Sequence, residues 1–136
     1  MTRSLLLTTD PVDEAACVAS TAPSDLMGAV IRFSGVVRGS EEGAPISGIE
    51  YEAFRPMVER QFNLLFDEVS RRWPTVGSIR LIHRLGFVPA GEPSLWVEVT
   101  APHRGDAFTA CQWLIDSMKQ VVPIWKRPRG RRTGCA

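Results

Sequence analysis

The stretch from Thr100 to Lys126 restricts this chain more than any other. Its apolar residues Ala107, Phe108, Cys111, Leu114, Ile115, Met118 and Val122 recur at helical spacing between Pro102 and Pro123, and Asp106 suits the positive first turn. A helix of that length is a rigid ruler. Arg104 and Lys119 are 15 residues apart, so a rise of about 1.5 Å per residue separates their Cα atoms by roughly 22 Å. Two side chains cannot close that gap. A site that used His103, Arg104 and Lys119 together would therefore need two copies of the chain.

Lys119 and Lys126 are the only lysines among 16 basic residues. Arginine does not lose its proton in a protein, whereas a desolvated lysine can. The restriction has two readings: an arginine-favouring composition, or a site that retains lysine for proton transfer or as a free amine. Lys119 falls in the last helical turn beside the apolar stripe. There it either snorkels to water or has its amine partly desolvated and its pKa lowered.

With 136 residues, 44% of them hydrophobic, the chain reads as one globular domain with a substantial core. The apolar run Leu5 to Leu7 is too short for a signal peptide and no later run approaches a membrane span, so a cytoplasmic protein without membrane contact is expected. Cys17, Cys111 and Cys135 lack C-x-x-C spacing, so neither a disulfide framework nor a metal site is indicated. Cys111 reads as a small packing residue and Cys135 as an exposed one. The net charge of +1 hides an asymmetry: residues 126–136 carry five basic residues and no acid, which leaves 11 basic and 15 acidic residues elsewhere. Such a tail can attract a phosphate, a nucleic acid or an acidic protein, or simply be solvated. The alternative function it suggests is a non-catalytic dimeric module that binds nucleic acid or another anionic partner. Nucleic-acid binding of that kind uses aromatics interleaved with the basic residues, and nothing aromatic follows Trp125.

In chain order, Ser4 to Thr8 reads as a strand, and Asp10-Pro11 as the N-cap and first residue of a helix reaching Ser20. Gly28 to Val37 reads as a central strand with Val30, Phe33, Val36 and Val37 in the core. A polar connection from Arg38 to Pro45 leads to a strand at Ile46 to Phe54. Pro56 opens a second helix, whose stripe Val58, Phe62, Leu65, Phe66, Val69 and Trp73 ends at Pro74. Strands follow at Ser78 to Arg84 and Ser94 to Thr100, joined by a loop, and His83 reads as a satisfied structural histidine in preference to a catalytic one. This order predicts an α+β domain over residues 1–126, a largely antiparallel sheet with helices on one face, and a basic tail at 127–136. No repeat, phosphate-binding glycine loop or H-E-x-x-H pattern occurs.

Five motifs then act together: Phe33-Ser34-Gly35-Val36-Val37-Arg38, Glu50-Tyr51-Glu52-Ala53-Phe54-Arg55-Pro56-Met57, Ile82-His83-Arg84-Leu85-Gly86, Ala101-Pro102-His103-Arg104 and Val122-Pro123-Ile124-Trp125-Lys126. In order and spacing, from about Gly28 to Lys126, the chain resembles the catalytic large subunit family of molybdopterin synthase. The resemblance implies an α/β-hammerhead fold and a central homodimer. It also implies a small ubiquitin-like sulfur-carrier subunit at each end. The reaction implied moves sulfur from a thiocarboxylate on the carrier's C-terminal Gly-Gly tail to cyclic pyranopterin monophosphate, forming the dithiolene of molybdopterin without a further cofactor. Carried over motif by motif, the substrate pocket falls on Val36, Val37 and Arg38, on His103 and Arg104 of the neighbouring protomer, and on Lys119, Lys126, Arg127 and Pro128, with Lys119 and Lys126 as the catalytic residues. The chain departs from the family after Lys126, where Pro128 replaces the usual acid and the tail is shorter. That leaves the contribution of 127–136 open, Arg131 and Arg132 included.

Overall fold

The computed structural model describes residues 1–130. Its elements are β1 (Thr2–Thr8), α1 (Glu14–Ala19), β2 (Ala29–Val36), β3 (Ser40–Glu41), β4 (Ala44–Ala53), α2 (Arg55–Arg72), β5 (Ser78–Arg84), β6 (Gly86–Pro89), β7 (Pro93–Ala101), α3 (Arg104–Val121) and β8 (Ile124–Gly130). The architecture is α+β, as expected. One sheet runs β1-β5-β7-β2, antiparallel except where β1 pairs with β5; in the other, β4 lies between β6 and β8, with β3 forming a short hairpin at its start.

The main core follows from alternation meeting helical periodicity. Ile79 and Leu81 of β5 and Leu95, Val97, Val99 and Ala101 of β7 face Val58, Phe62, Phe66 and Val69 of α2 and Ala107, Ala110, Cys111, Leu114, Ile115 and Met118 of α3. Phe62 and Phe66 stack with centroids 6.0 Å apart, and each ring contributes about 2–3 kcal/mol by leaving water. A smaller cluster of Val37, Ile46, Ile49 and Val88 holds the second sheet, and Tyr51 packs against both clusters. No helix among the described residues is long and apolar enough to cross a membrane.

The opposite face of the four-stranded sheet is polar, and α1 lies over it. Glu98, 1% exposed, accepts hydrogen bonds from Thr21 Oγ1 (2.7 Å), Arg32 Nε (2.9 Å) and Arg80 Nη1 (3.2 Å), and Arg80 reaches on to the Cys17 carbonyl. Burial pushes the Glu98 carboxyl up, but those donors outweigh it and hold the group below its ordinary value. The helices therefore divide between the two faces instead of sharing one.

Other expectations change as well. The first helix starts at Glu14, because Asp13 and not Asp10 caps it: Asp13 Oδ1 accepts from Ala16 N–H at 3.0 Å. β2 is an edge strand, so Val30, Phe33 and Val36 are exposed and only Val37 is buried. Phe108 points outward from α3. The connection after β5 contains β6, which Gly86 makes possible with φ at +80°, a conformation that favours glycine. Residues 127–130, expected as part of a solvated tail, extend β8 along β4, with Arg127 opposite Glu50, Pro128 opposite Ile49 and Arg129 opposite Gly48. β8 pairs with β4 alone, an edge position that tolerates the missing N–H of Pro128. The expectations for Arg131, Arg132 and Cys135 lie outside the described residues.

Candidate active site

Where the two sheets diverge beside the end of α3, a cavity of about 740 Å³ opens, within the range that holds small organic ligands. Strands of both sheets and α3 line it. The end of β2 and the chain just after it supply Val36, Val37 and Arg38; the last turn of α3 supplies Lys119; β8 supplies Lys126; and β4 supplies Tyr51. Tyr51 and Lys126 are direct antiparallel partners, so their side chains share one face of the sheet. Arg38, Lys119 and Lys126 are all exposed, and among the described residues Glu41 is the one carboxylate in the lining.

The floor is hydrogen-bonded and less exposed. Tyr51 Oη donates to Ser94 Oγ at 3.2 Å, and Ser94 Oγ donates in turn to the Gly35 carbonyl at 3.4 Å, a long contact. His83, 5% exposed, meets the Tyr51 ring edge-on at 5.1 Å between centroids, and its Nδ1 lies 2.8 Å from the Arg84 carbonyl oxygen. Burial lowers the His83 pKa, partly countered by that carbonyl.

The cavity thus brings together Val36, Val37, Arg38, Lys119 and Lys126. It does not bring in His103 and Arg104, which are exposed at the other end of the 18-residue α3. Arg127 and Pro128 lie on β8 outside its lining. Sequence reasoning passed over Tyr51, Ser94 and Met118 as lining residues and favoured a structural role for His83 over a catalytic one. The usable signal was that Tyr51 and His83 each sit inside one of the five motifs. A second cavity, of about 660 Å³, lies over the Glu98 network on the opposite face, where the charges are already paired with one another.

This is an α+β domain with a small-molecule cavity rimmed by three cations, a site suited to an anionic ligand. Comparison with known proteins gives the particular family. The model of the MoaE protein family matches residues 7–121. Molybdopterin synthase catalytic subunits from a Nostoc species and from Thermoplasma volcanium are 36% and 38% identical to the chain; the alignments cover 81% and 74% of it and 67% and 72% of those proteins. The human catalytic subunit is 38% identical over 85% of this chain, which spans 60% of its length. A crystal structure of molybdopterin synthase from Staphylococcus aureus superposes with a TM-score of 0.84 at 30% identity, covering 94% of this chain and 92% of that one. The chain belongs to the MoaE family of molybdopterin synthase catalytic subunits.

Proposed function

We propose that the protein is the sulfur-inserting catalytic subunit of a molybdopterin synthase. In this reading a small ubiquitin-like carrier threads its C-terminal Gly-Gly thiocarboxylate into the cavity, and sulfur passes to cyclic pyranopterin monophosphate to build the dithiolene. The observation that carries the proposal is the meeting of Arg38, Lys119 and Lys126 around one cavity of small-molecule size. Arg38 suits a phosphate, through charge-assisted hydrogen bonds. Lys119 and Lys126 suit the transferred group: an ammonium can hold a carbonyl or thiocarboxylate oxygen, and an amine freed of its proton can accept one as sulfur attacks.

His103 and Arg104 enter this scheme from a second protomer. Within one chain the length of α3 keeps them away from Lys119, so a homodimer supplies them as further phosphate ligands. The carrier serves as the sulfur source in this reading, because the described residues hold no redox cysteine pair: Cys17 and Cys111 are buried, and burial pushes the Cys111 thiol up to about 11.

The test is direct. Purified protein incubated with thiocarboxylated carrier and cyclic pyranopterin monophosphate should yield dithiolene product, and inorganic sulfide without carrier should not match that rate. No product from the complete mixture would overturn the proposal.

A further inference from the structure

His83 is placed for more than packing. A carbonyl oxygen only accepts, so the 2.8 Å contact from Nδ1 to the Arg84 carbonyl puts the ring proton on Nδ1 and leaves Nε2 with a free lone pair. Nε2 has no hydrogen-bond partner among the described residues. Nε2 is not among the fully enclosed polar atoms, and the His83 side chain lines the cavity. An acceptor unused by the protein, on a largely buried ring in a cavity wall, is open to a donor from whatever occupies the cavity.

We propose that His83 is a substrate-contacting residue of this cavity, its Nε2 accepting a hydrogen bond from a ring N–H or hydroxyl of the bound pterin-class substrate. This rests on the proposed function above and adds a residue to it. Among the described residues, the charged and titratable groups that share the cavity are Arg38, Glu41, Lys119, Lys126 and Tyr51, and it is burial that favours the neutral imidazole. The Arg84 guanidinium is engaged elsewhere, donating to Glu92 at 2.9 Å. A neutral acceptor complements the rim: the cations hold the phosphate and the thiocarboxylate, and Nε2 orients the pterin end by reading a donor that neither lysine can read.

Two substitutions separate this role from a structural one. His83→Asn keeps an N–H near Nδ1 for the Arg84 carbonyl and removes the distal acceptor. His83→Gln places an amide oxygen near Nε2 and gives up the Arg84 contact. A substrate contact predicts that His83→Asn loses about fivefold to tenfold in kcat/KM, the range one neutral hydrogen bond supports, while His83→Gln retains more. A purely structural histidine predicts the reverse order.

The wild-type chain gives an independent reading. It contains two histidines, His83 and His103, so imidazole ¹⁵N spectra are readily assigned. His83 should show a protonated Nδ1 and an unprotonated Nε2, and saturating cyclic pyranopterin monophosphate should move the Nε2 resonance. Product formation by the wild type, together with an Nε2 signal unmoved by substrate or a fully active His83→Asn, would overturn the His83 assignment alone. Absence of both product and any response at Nε2 would overturn the proposed function with it.

Discussion

Glu50 of β4 and Arg129 of β8 are joined across the strand pair: Arg129 Nε donates to Glu50 Oε2 at 2.8 Å, and Nη2 reaches the same oxygen. The pair shows that the strand crosses from the motif carrying Lys126 into the basic segment, so residues 127–130 hold Lys126 in place through the β4 ladder. Both side chains are substantially exposed, which limits the pair itself to under about 1 kcal/mol.

Two truncations should therefore differ. Deleting Gly130 to Ala136 removes the last pairing, Gly130 opposite Ile46, and should leave turnover within about tenfold, or about 1.4 kcal/mol of barrier. Deleting Arg127 to Ala136 also strips the partners of Gly48, Ile49 and Glu50 and should cost about 2–4 kcal/mol of stability, at roughly 1 kcal/mol per backbone hydrogen bond. Thermal melts and turnover of both variants check this. Equal losses would mean that the ladder beyond Lys126 does not position it.

Lys119 should require lysine chemistry and not merely positive charge. Lys119→Arg keeps a cation at the cavity rim but supplies no neutral amine, so its turnover should fall nearly as far as that of Lys119→Ala. Near-full activity in Lys119→Arg would make the residue an electrostatic clamp.

What could be read without coordinates was set by how local each signal is. α2 and α3 announced themselves through apolar stripes bounded by prolines, and their buried residues lie on those stripes except Ala110, while Phe108 of the stripe is exposed. β8 did not, because Lys126, Arg127, Pro128 and Arg129 show no alternation and form a strand only where β4 offers a free edge. β6 was hidden between Gly86 and Pro89, two residues that ordinarily mark loops. For β2, the apolar Val30, Phe33 and Val36 suggested a central strand, but an edge that borders a cavity leaves such residues exposed. His83 shows the same limit at the site: alternation placed it in a strand facing inward, while the opening in front of it depends on where Tyr51 and Lys119 arrive from distant segments.

Stability should depend on pH through His83. Its folded pKa is lowered by burial below the ordinary value near 6.5, so the unfolded chain binds the proton more readily. That contribution is fully present above about pH 6.5 and is lost as pH falls towards the folded pKa. Between pH 7.5 and 5.5 the melting temperature of the wild type should drop, and in His83→Asn, which has no group titrating at that position, the drop should be smaller. An identical drop in both proteins would assign the dependence to other groups.

The division of the site between two chains can be tested by mixing. The 18 residues of α3 hold Arg104 and Lys119 too far apart to meet in one chain, and the cavity around Lys119 contains neither His103 nor Arg104. If each pocket combines Lys119 of one protomer with His103 and Arg104 of its partner, homodimers of His103→Ala and of Lys119→Ala should each be nearly inactive. Subunit exchange between them then produces heterodimers in which one pocket carries both lesions and the other carries none. Activity should rise on mixing towards about half the wild-type value per heterodimer, by simple counting of independent sites. A site confined to one chain leaves every pocket with a lesion, so no recovery after exchange verified by mass spectrometry would refute the shared pocket.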